Sequence, residues 1–141
     1  MIPTIILGNI YTDSRGKLLY NNHFDASEVK RMYIVENNDL DILRGWQGHK
    51  VEQRWFFAVQ GAFYIKLIKI DDWIKPSKKL SAIEYELDSS KLNILHIPAG
   101  YISCIKSKVL YSKLLVLADY LINEIKDEYK YPLNYFNNIK K

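Results

Sequence analysis

The sequence predicts an all-β domain, an antiparallel sandwich or small barrel of jelly-roll type, and three observations carry that expectation. Short apolar or alternating runs rich in Ile, Val, Tyr, Phe and Trp fill the first three quarters of the chain. Turn residues separate these runs, and helical spacing occurs only near the end. No repeat, low-complexity tract or linker interrupts the 141 residues, 48% of them apolar. The chain therefore reads as one domain over residues 1–141, long enough to bury a core without a disulfide or a metal.

Taken in order, the predicted strands are 31–36 (RMYIVE), 42–49 (ILRGWQGH), 54–59 (RWFFAV), 62–70 (AFYIKLIKI), 81–87 (SAIEYEL), 93–97 (NILHI) and 110–118 (LYSKLLVLA). Gln60-Gly61 predicts a tight hairpin turn between the third and fourth. Residues 71–79, with Pro76, predict a longer connection. In 120–129 (YLINEIKDEY), Leu121, Ile125 and Glu128 stand at helical spacing, which predicts a short C-terminal helix stopped before Pro132.

Composition narrows the function classes. Cys104 is the only cysteine, which excludes an intramolecular disulfide and a thiolate-rich metal site and fits a reducing, cytoplasmic setting. The start, MIPTIILGNIYTD, has no basic leader region or small-residue cleavage site, and no segment approaches the roughly 20 apolar residues of a membrane span. The formal charge of +4 comes from scattered lysines, often beside acids as around Asp71 and Asp72, and is densest at the lysine-rich C-terminal end. That distribution predicts a solvated surface and no nucleic-acid footprint.

The stretch 44–61 (RGWQGHKVEQRWFFAVQG) concentrates cations, a histidine and aromatics on what reads as two paired strands. Gln47 and His49 are two residues apart and share a strand face, with Leu43 and Gly45 continuing the row. A polar pair facing a barrel interior is an active-site pattern.

The order of motifs resembles that of the cupin-type sugar-nucleotide enzymes: the dTDP-sugar 3,4-ketoisomerases (WxcM-like) and, more distantly, the dTDP-4-dehydrorhamnose 3,5-epimerases. DSRGKL from Asp13 is similar to the family's opening signature, and Lys30 to Tyr33 to the strand after it. RGWQGHK is similar to the arginine-glycine pair and histidine-bearing strand, HIPAGY to the proline-x-glycine turn, and LLVLADYL to the ketoisomerases' last core strand. The resemblance implies a cupin-type double-stranded β-helix, a nucleotide-sugar substrate and a homodimer formed by exchange of N-terminal strands. No membrane partner is expected, since no segment is long and apolar enough to span a bilayer. Two departures stand out: Gln47 occupies the first of the ketoisomerases' two histidine positions, leaving His49, and Leu115 aligns with the epimerases' acid tyrosine.

A 4-keto sugar isomerises through an enediol, which needs a base poised near neutrality and donors around the developing oxyanion. The resemblance makes His49 that base; a core or edge histidine is the structural alternative. Gln47 can orient a ketone or hydroxyl but cannot take a proton at neutral pH. Arg15, Arg44 and Arg54 are assigned to phosphate or sugar, against turn stabilisation, a salt bridge and a solvated strand face respectively. Arg31 is a fourth candidate, and Tyr33 a sugar or base contact unless it only packs. His23 reads as a loop residue. His96 either points inward near the site or is a rim histidine bonded to backbone. For a metal, the resemblance offers His49 and Glu52 while Gln47 and Ser103 fill the remaining ligand positions, so neither metal nor other cofactor is expected. The tyrosine-rich tail is expected to pack on the barrel or on a partner subunit. Two rival readings remain: a catalytically silent cupin that binds a nucleotide sugar or a partner enzyme, and a core-filling jelly roll with no small-molecule site.

Overall fold

The computed structural model describes residues 1–137, so the lysines that end the sequence, Lys140 and Lys141, lie outside the described residues. The described residues form twelve strands. They are β1 (Thr4–Ile6), β2 (Asn9–Asp13), β3 (Gly16–Tyr20), β4 (Arg31–Glu36), β5 (Arg44–His49) and β6 (Arg54–Gln60), and then β7 (Ala62–Lys69), β8 (Ile83–Asp88), β9 (Ile94–Ile97), β10 (Tyr101–Ser107), β11 (Lys113–Ala118) and β12 (Tyr129–Lys130). Two five-stranded sheets, ordered β1-β9-β6-β11-β4 and β12-β5-β10-β7-β8, face each other, and β2-β3 forms a separate hairpin. All pairings are antiparallel. This is the expected jelly roll.

Between the sheets lies a core of Val35, Phe56, Phe63, Ile65, Leu67, Leu87, Leu95, Leu114 and Val116, among others. Both outer faces are also covered. Trp46, Ile68, Ile102, Cys104 and Phe136 form a second cluster with Tyr131, Leu133 and Tyr135 of the tail, and Trp55, Ile94 and Leu117 a third with Phe24 and Val29. The tail therefore packs on the barrel, as expected, and the three tryptophans contribute to packing: Trp46 and Trp55 are buried and Trp73 stacks near Tyr129. Burial on both faces explains why β10 (YISCIKS) gives no strand signal in the sequence. Its residues are buried on alternate and adjacent positions alike, so it has no clean period of two. The strands β1, β2 and β3 were likewise not anticipated.

Four local expectations are overturned. The stretch 44–61 is not two paired strands: β5 pairs with β10 and β12 in one sheet, while β6 pairs with β11 and β9 in the other. Gln60-Gly61 is not a hairpin turn, because Gly61 (φ +73°) carries the chain from one sheet to the other over the Ser112 hydroxyl, which accepts the Ala62 N–H. Leu43 does not continue the Gln47–His49 row; it packs in the outer cluster with Trp46. The C-terminal helix does not form. Residues 121–128 instead make turns, with Asn123 at φ +62°, and the chain then joins the second sheet as β12, where Tyr129 faces Gly48. Helical spacing lost there to non-local partners for the backbone and for Asp127. No helix among the described residues is long and apolar enough to cross a membrane.

Gly48 is required by packing. A Cβ there would lie 2.2 Å from the Tyr101 carbonyl oxygen and 2.5 Å from the Ile102 Cα, both backbone atoms of β10. Gly48→Ala is expected to lose about 1–3 kcal/mol of stability, as an overpacked core does, measured by urea denaturation. An unchanged midpoint would show that β5 and β10 can separate freely.

Candidate active site

The inward-facing rows of the sandwich change character along their length. On β4 the row runs Arg31, Tyr33, Val35, and on β6 it runs Arg54, Phe56, Ala58. Their apolar ends fill the core, while their polar ends open into a cavity of about 470 Å³ at one end of the molecule. That volume suits a small organic ligand, for which roughly 300–1,000 Å³ is usual. Arg31, Tyr33, Arg44, Gln47, His49 and Arg54 all line it, as do Glu52, Pro98, Tyr101 and Ser103, and residues 121–128 form one rim. A cavity lined by Arg44, Gln47 and His49 counts against a core-filling jelly roll in which these residues are paired or solvated outside any pocket.

Arg44 reaches the cavity through an irregularity in the sheet. Gln47 is opposite Ser103 while Arg44 is opposite Ile105, so β5 spends three steps where β10 spends two. The bulge places Arg44 on the cavity side with Gln47 and His49, a usual consequence of an extra residue in one strand. Arg15 is not brought to the cavity. It sits highly exposed at the β2-β3 turn, where its Nη2 pairs with Asp13 Oδ2 at 2.7 Å, the turn-stabilising alternative.

His49 is largely buried, and the contacts seen among the described residues hold it at Nδ1. Its Nδ1 lies 2.9 Å from the Asp127 carbonyl oxygen and 3.5 Å from Glu52 Oε2. A carbonyl only accepts, so Nδ1 carries the hydrogen and the neutral ring presents its lone pair at Nε2. Burial lowers the His49 pKa below the ordinary histidine value, and the Arg54 cation adds to the effect against the opposing pull of the Asp127 carbonyl, Glu52 and the Asp127 carboxylate. The neutral, basic form is therefore the one favoured at neutral pH.

The charges around His49 are individually paired. Glu52 Oε1 accepts from Arg54 Nη1 at 2.9 Å, with both side chains almost fully buried. Arg54 is thus not on a solvated strand face. Arg44 Nε donates to Asn37 Oδ1 at 2.5 Å, and the buried Asn37 passes the contact on to Ser107 Oγ at 3.1 Å. Arg44 makes this amide contact rather than the salt bridge considered for it. Gln47 Nε2 donates to Glu128 Oε1 at 2.5 Å. Arg31 stacks on Tyr33, 5.1 Å from its ring centroid. Two cavity-lining guanidiniums keep donors unused: Arg31 Nε and Arg54 Nε are buried without a partner. Being buried, these two Nε–H groups do not open onto the cavity.

Two side chains important here gave no sequence signal. Asn37 and Asp127 act through contacts 70 and 75–78 residues away along the chain, and only a buried polar residue with many distant partners distinguishes them. Asp127 also adds a third oxygen or nitrogen donor to His49 and Glu52, with ligand atoms within 4.8 Å of one another. These residues do not fit a cation. The Asp127 carboxylate already accepts three backbone N–H groups, and Glu52 is paired with Arg54, whose charge repels a metal.

The remaining candidates fall elsewhere. His96 stacks on Trp55 (5.3 Å, 21°), and its Nε2 bonds the Gln53 side chain at 2.7 Å, so it neither lines the cavity nor bonds backbone. His23 is an exposed loop residue. Leu115 packs in the outer cluster with Trp55, on the face of β11 turned away from the cavity.

Comparison with known proteins agrees with this architecture. The family described as "FdtA: WxcM-like, C-terminal" matches residues 3–141. No curated protein matches the sequence. Among solved structures, the chain is similar to a histidine-to-asparagine mutant of the 3,4-ketoisomerase QdtA from Thermoanaerobacterium thermosaccharolyticum in complex with TDP-4-keto-6-deoxyglucose (24% identity, 89% of this chain and 85% of that one, TM-score 0.69). It is similar to the TDP-quinovose 3,4-ketoisomerase WlaRB from Campylobacter jejuni (22%, 89% and 90%, 0.66). The dTDP-4-dehydrorhamnose 3,5-epimerase of Bacillus anthracis str. Ames, with TDP and PPi bound, shares 13% identity over 89% of this chain and 76% of that one, with a TM-score of 0.71. At these identities the likeness is one of fold.

The Glu52–Arg54 pair yields a direct test. Glu52→Gln leaves the buried guanidinium without its carboxylate and is expected to cost about 1.5–3 kcal/mol, the range for a hydrogen bond to a charged group, read by chemical denaturation. A loss too small to measure would mean that Arg54 is hydrated from the cavity.

Proposed function

The chain belongs to the FdtA family (WxcM-like, C-terminal), and from that premise we propose that it is a sugar-nucleotide isomerase: a metal-independent 3,4-ketoisomerase of a dTDP-4-keto-6-deoxyhexose. The observation that carries this reading is the single-sided hold on His49, whose Nδ1–H is committed to the Asp127 carbonyl while the basic Nε2 remains free in a cavity walled by Arg31, Arg44 and Arg54. A similar fold binds TDP-4-keto-6-deoxyglucose in the mutant QdtA, which supports the substrate class.

The chemistry rests on acidity beside a ketone. His49 Nε2 takes the proton from C3, the C3–H electrons become the C3–C4 double bond, and the carbonyl pair moves to O4. The resulting enediolate is stabilised by donors already in place, so little reorganisation is needed as charge develops. Return of a proton to C4, with loss of the O3 proton, yields the 3-ketone. The cavity-lining Arg31, Arg44 and Arg54 serve the diphosphate and sugar oxygens, while Tyr33 and Gln47 contact the sugar. Arg15 lies outside this cavity, so a role for it in binding needs a second copy of the chain. Exposed Met32 and Ile34 on the edge strand β4, with Tyr11 and Leu18 on the β2-β3 hairpin, support a homodimer. The setting is the cytoplasm, and the pathway is surface-polysaccharide sugar synthesis.

Gln47 favours a second reading, a silent cupin that binds a nucleotide sugar or a partner enzyme. It lines the cavity where a ketoisomerase has a histidine, and its amide is engaged by Glu128. Glu52, 3.5 Å from His49 Nδ1, keeps another carboxylate beside the base and weighs against that reading.

Incubation with dTDP-4-keto-6-deoxyglucose in deuterated water, with NMR as the readout, is expected to show deuterium at the ring carbons. His49→Ala should slow that exchange by about 10²–10⁴-fold, the usual contribution of a general base; exchange at the wild-type rate would remove His49 from the role. Binding without any exchange by the wild type would establish the silent cupin. Because burial lowers the His49 pKa, kcat/KM is expected to hold as pH falls past 6.5 and to decline only below it, as the base becomes protonated. A decline beginning well above pH 6.5 would assign the base to another group. Chelation with EDTA should leave the rate unchanged, and loss restored by added metal would overturn the metal-independent mechanism.

A further inference from the structure

We infer that Asp127 is the positioning residue for His49: the C-terminal segment, rather than the strand that bears the imidazole, sets which ring nitrogen is basic. The inference rests on the isomerase reading for its consequence in turnover, but not for its structural content.

Asp127 is 4% exposed and uses both of its polar ends. Its carboxylate closes on the loop after β5. Oδ1 accepts the Lys50 N–H at 3.0 Å, and Oδ2 accepts the N–H groups of Val51 and Glu52 at 2.9 and 2.8 Å. Its carbonyl oxygen then faces the imidazole and takes the Nδ1–H at 2.9 Å. One residue therefore grips the histidine and the three residues after it. A buried carboxylate with three charge-assisted amide bonds is a firm anchor, since each such bond is stronger than a neutral one. The pairing of Tyr129 with Gly48 pins the segment two residues further on, so the carbonyl is fixed from both sides.

The same clamp sets Glu52. Its backbone N–H is held by Oδ2, and its side chain bridges Arg54 and the Nδ1 side of His49. Without the Asp127 carboxylate the loop 50–52 and the carbonyl are released together. The neutral ring is then free to move its hydrogen to Nε2, which removes the lone pair on which proton abstraction depends. Asp127 never touches the reacting atoms; it acts by fixing a tautomer and a ring orientation.

The test reads the ring directly. Long-range ¹H–¹⁵N correlation on ¹⁵N-labelled protein, at a pH where His49 is neutral, is expected to show the Nδ1–H tautomer in the wild type. Asp127→Ala and the near-isosteric Asp127→Asn should shift the population toward Nε2–H, and kcat for the keto sugar should fall about 10²-fold, the lower end of a general base's contribution, with KM little changed. Asp127→Glu, which keeps the carboxylate, should recover part of both. A wild-type ring carrying its hydrogen on Nε2 overturns the inference even if the Ala variant fails to fold, and so do folded variants that keep the wild-type tautomer. If the tautomer shifts in the variants while the wild type exchanges no sugar proton, the positioning role stands and the isomerase reading falls.

Discussion

Two facing antiparallel sheets leave a gap roughly 10 Å deep that side chains must fill, and how this chain fills it decides where a site can form. Toward one end the gap is packed dry by Phe56, Phe63, Ile65, Leu95 and Leu114. Toward the other the same inward rows turn to Arg31, Arg54, Gln47 and His49, whose long or polar side chains cannot close the space, and a cavity results. Outer clusters under Trp46 and Trp55 hold both sheets from behind, so strands that carry cavity residues are buried on their reverse side. The cavity-lining side chains of β4, β5 and β6 thus project from strands packed on both faces, an arrangement that holds side-chain geometry rigid.

Polar groups in such a place are costly unless each has a partner. Here nearly every one does: Glu52 with Arg54, Arg44 with Asn37 and Ser107, Gln47 with Glu128, and the Asp127 carboxylate with three amides. Against that background the unused atoms are informative. The Nε–H groups of Arg31 and Arg54 have no acceptor, and the His49 lone pair at Nε2 has no donor within the contacts that hold the ring. The proposed isomerase reading rests on this ring nitrogen in a cavity lined by Arg31, Arg44 and Arg54, since removing a carbon-bound proton beside a ketone leaves an enediolate whose negative charge sits on adjacent oxygens.

The chain belongs to the FdtA (WxcM-like, C-terminal) family and has the expected jelly-roll fold, and the departure that bears on the cavity lies on β5. Gln47 replaces a titrating group with one that only hydrogen-bonds, and Glu128 from the C-terminal rim occupies the amide. In the proposed isomerase the proton work then rests on His49, whose burial favours the neutral form. Residues 121–128 gain importance for the same reason: they line the cavity rim and hold both members of the Gln47–His49 pair through Glu128 and Asp127.

The sequence by itself determined the all-β class, the positions of most core strands and the identity of the cavity-lining set Arg31, Tyr33, Arg44, Gln47, His49 and Arg54. The class, the strands and the shared face of Gln47 and His49 are properties of local alternation, while the arginines were candidates only through the family resemblance of their motifs. It misassigned whatever depends on which strand lies beside which. The 44–61 stretch looked like one hairpin but is split between two sheets, and Arg15, similar in motif to Arg44, ended on an exposed turn. The helical spacing of Leu121, Ile125 and Glu128 was real but yielded to three amides some 75 residues distant. Only the tertiary structure decided that Asp127 would stand behind His49, that a bulge would turn Arg44 inward, and that Asn37 would hold it there. The physical reason is range: strand period and side-chain chemistry are written residue by residue, whereas the tautomer and partners of a buried group depend on atoms brought together by folding.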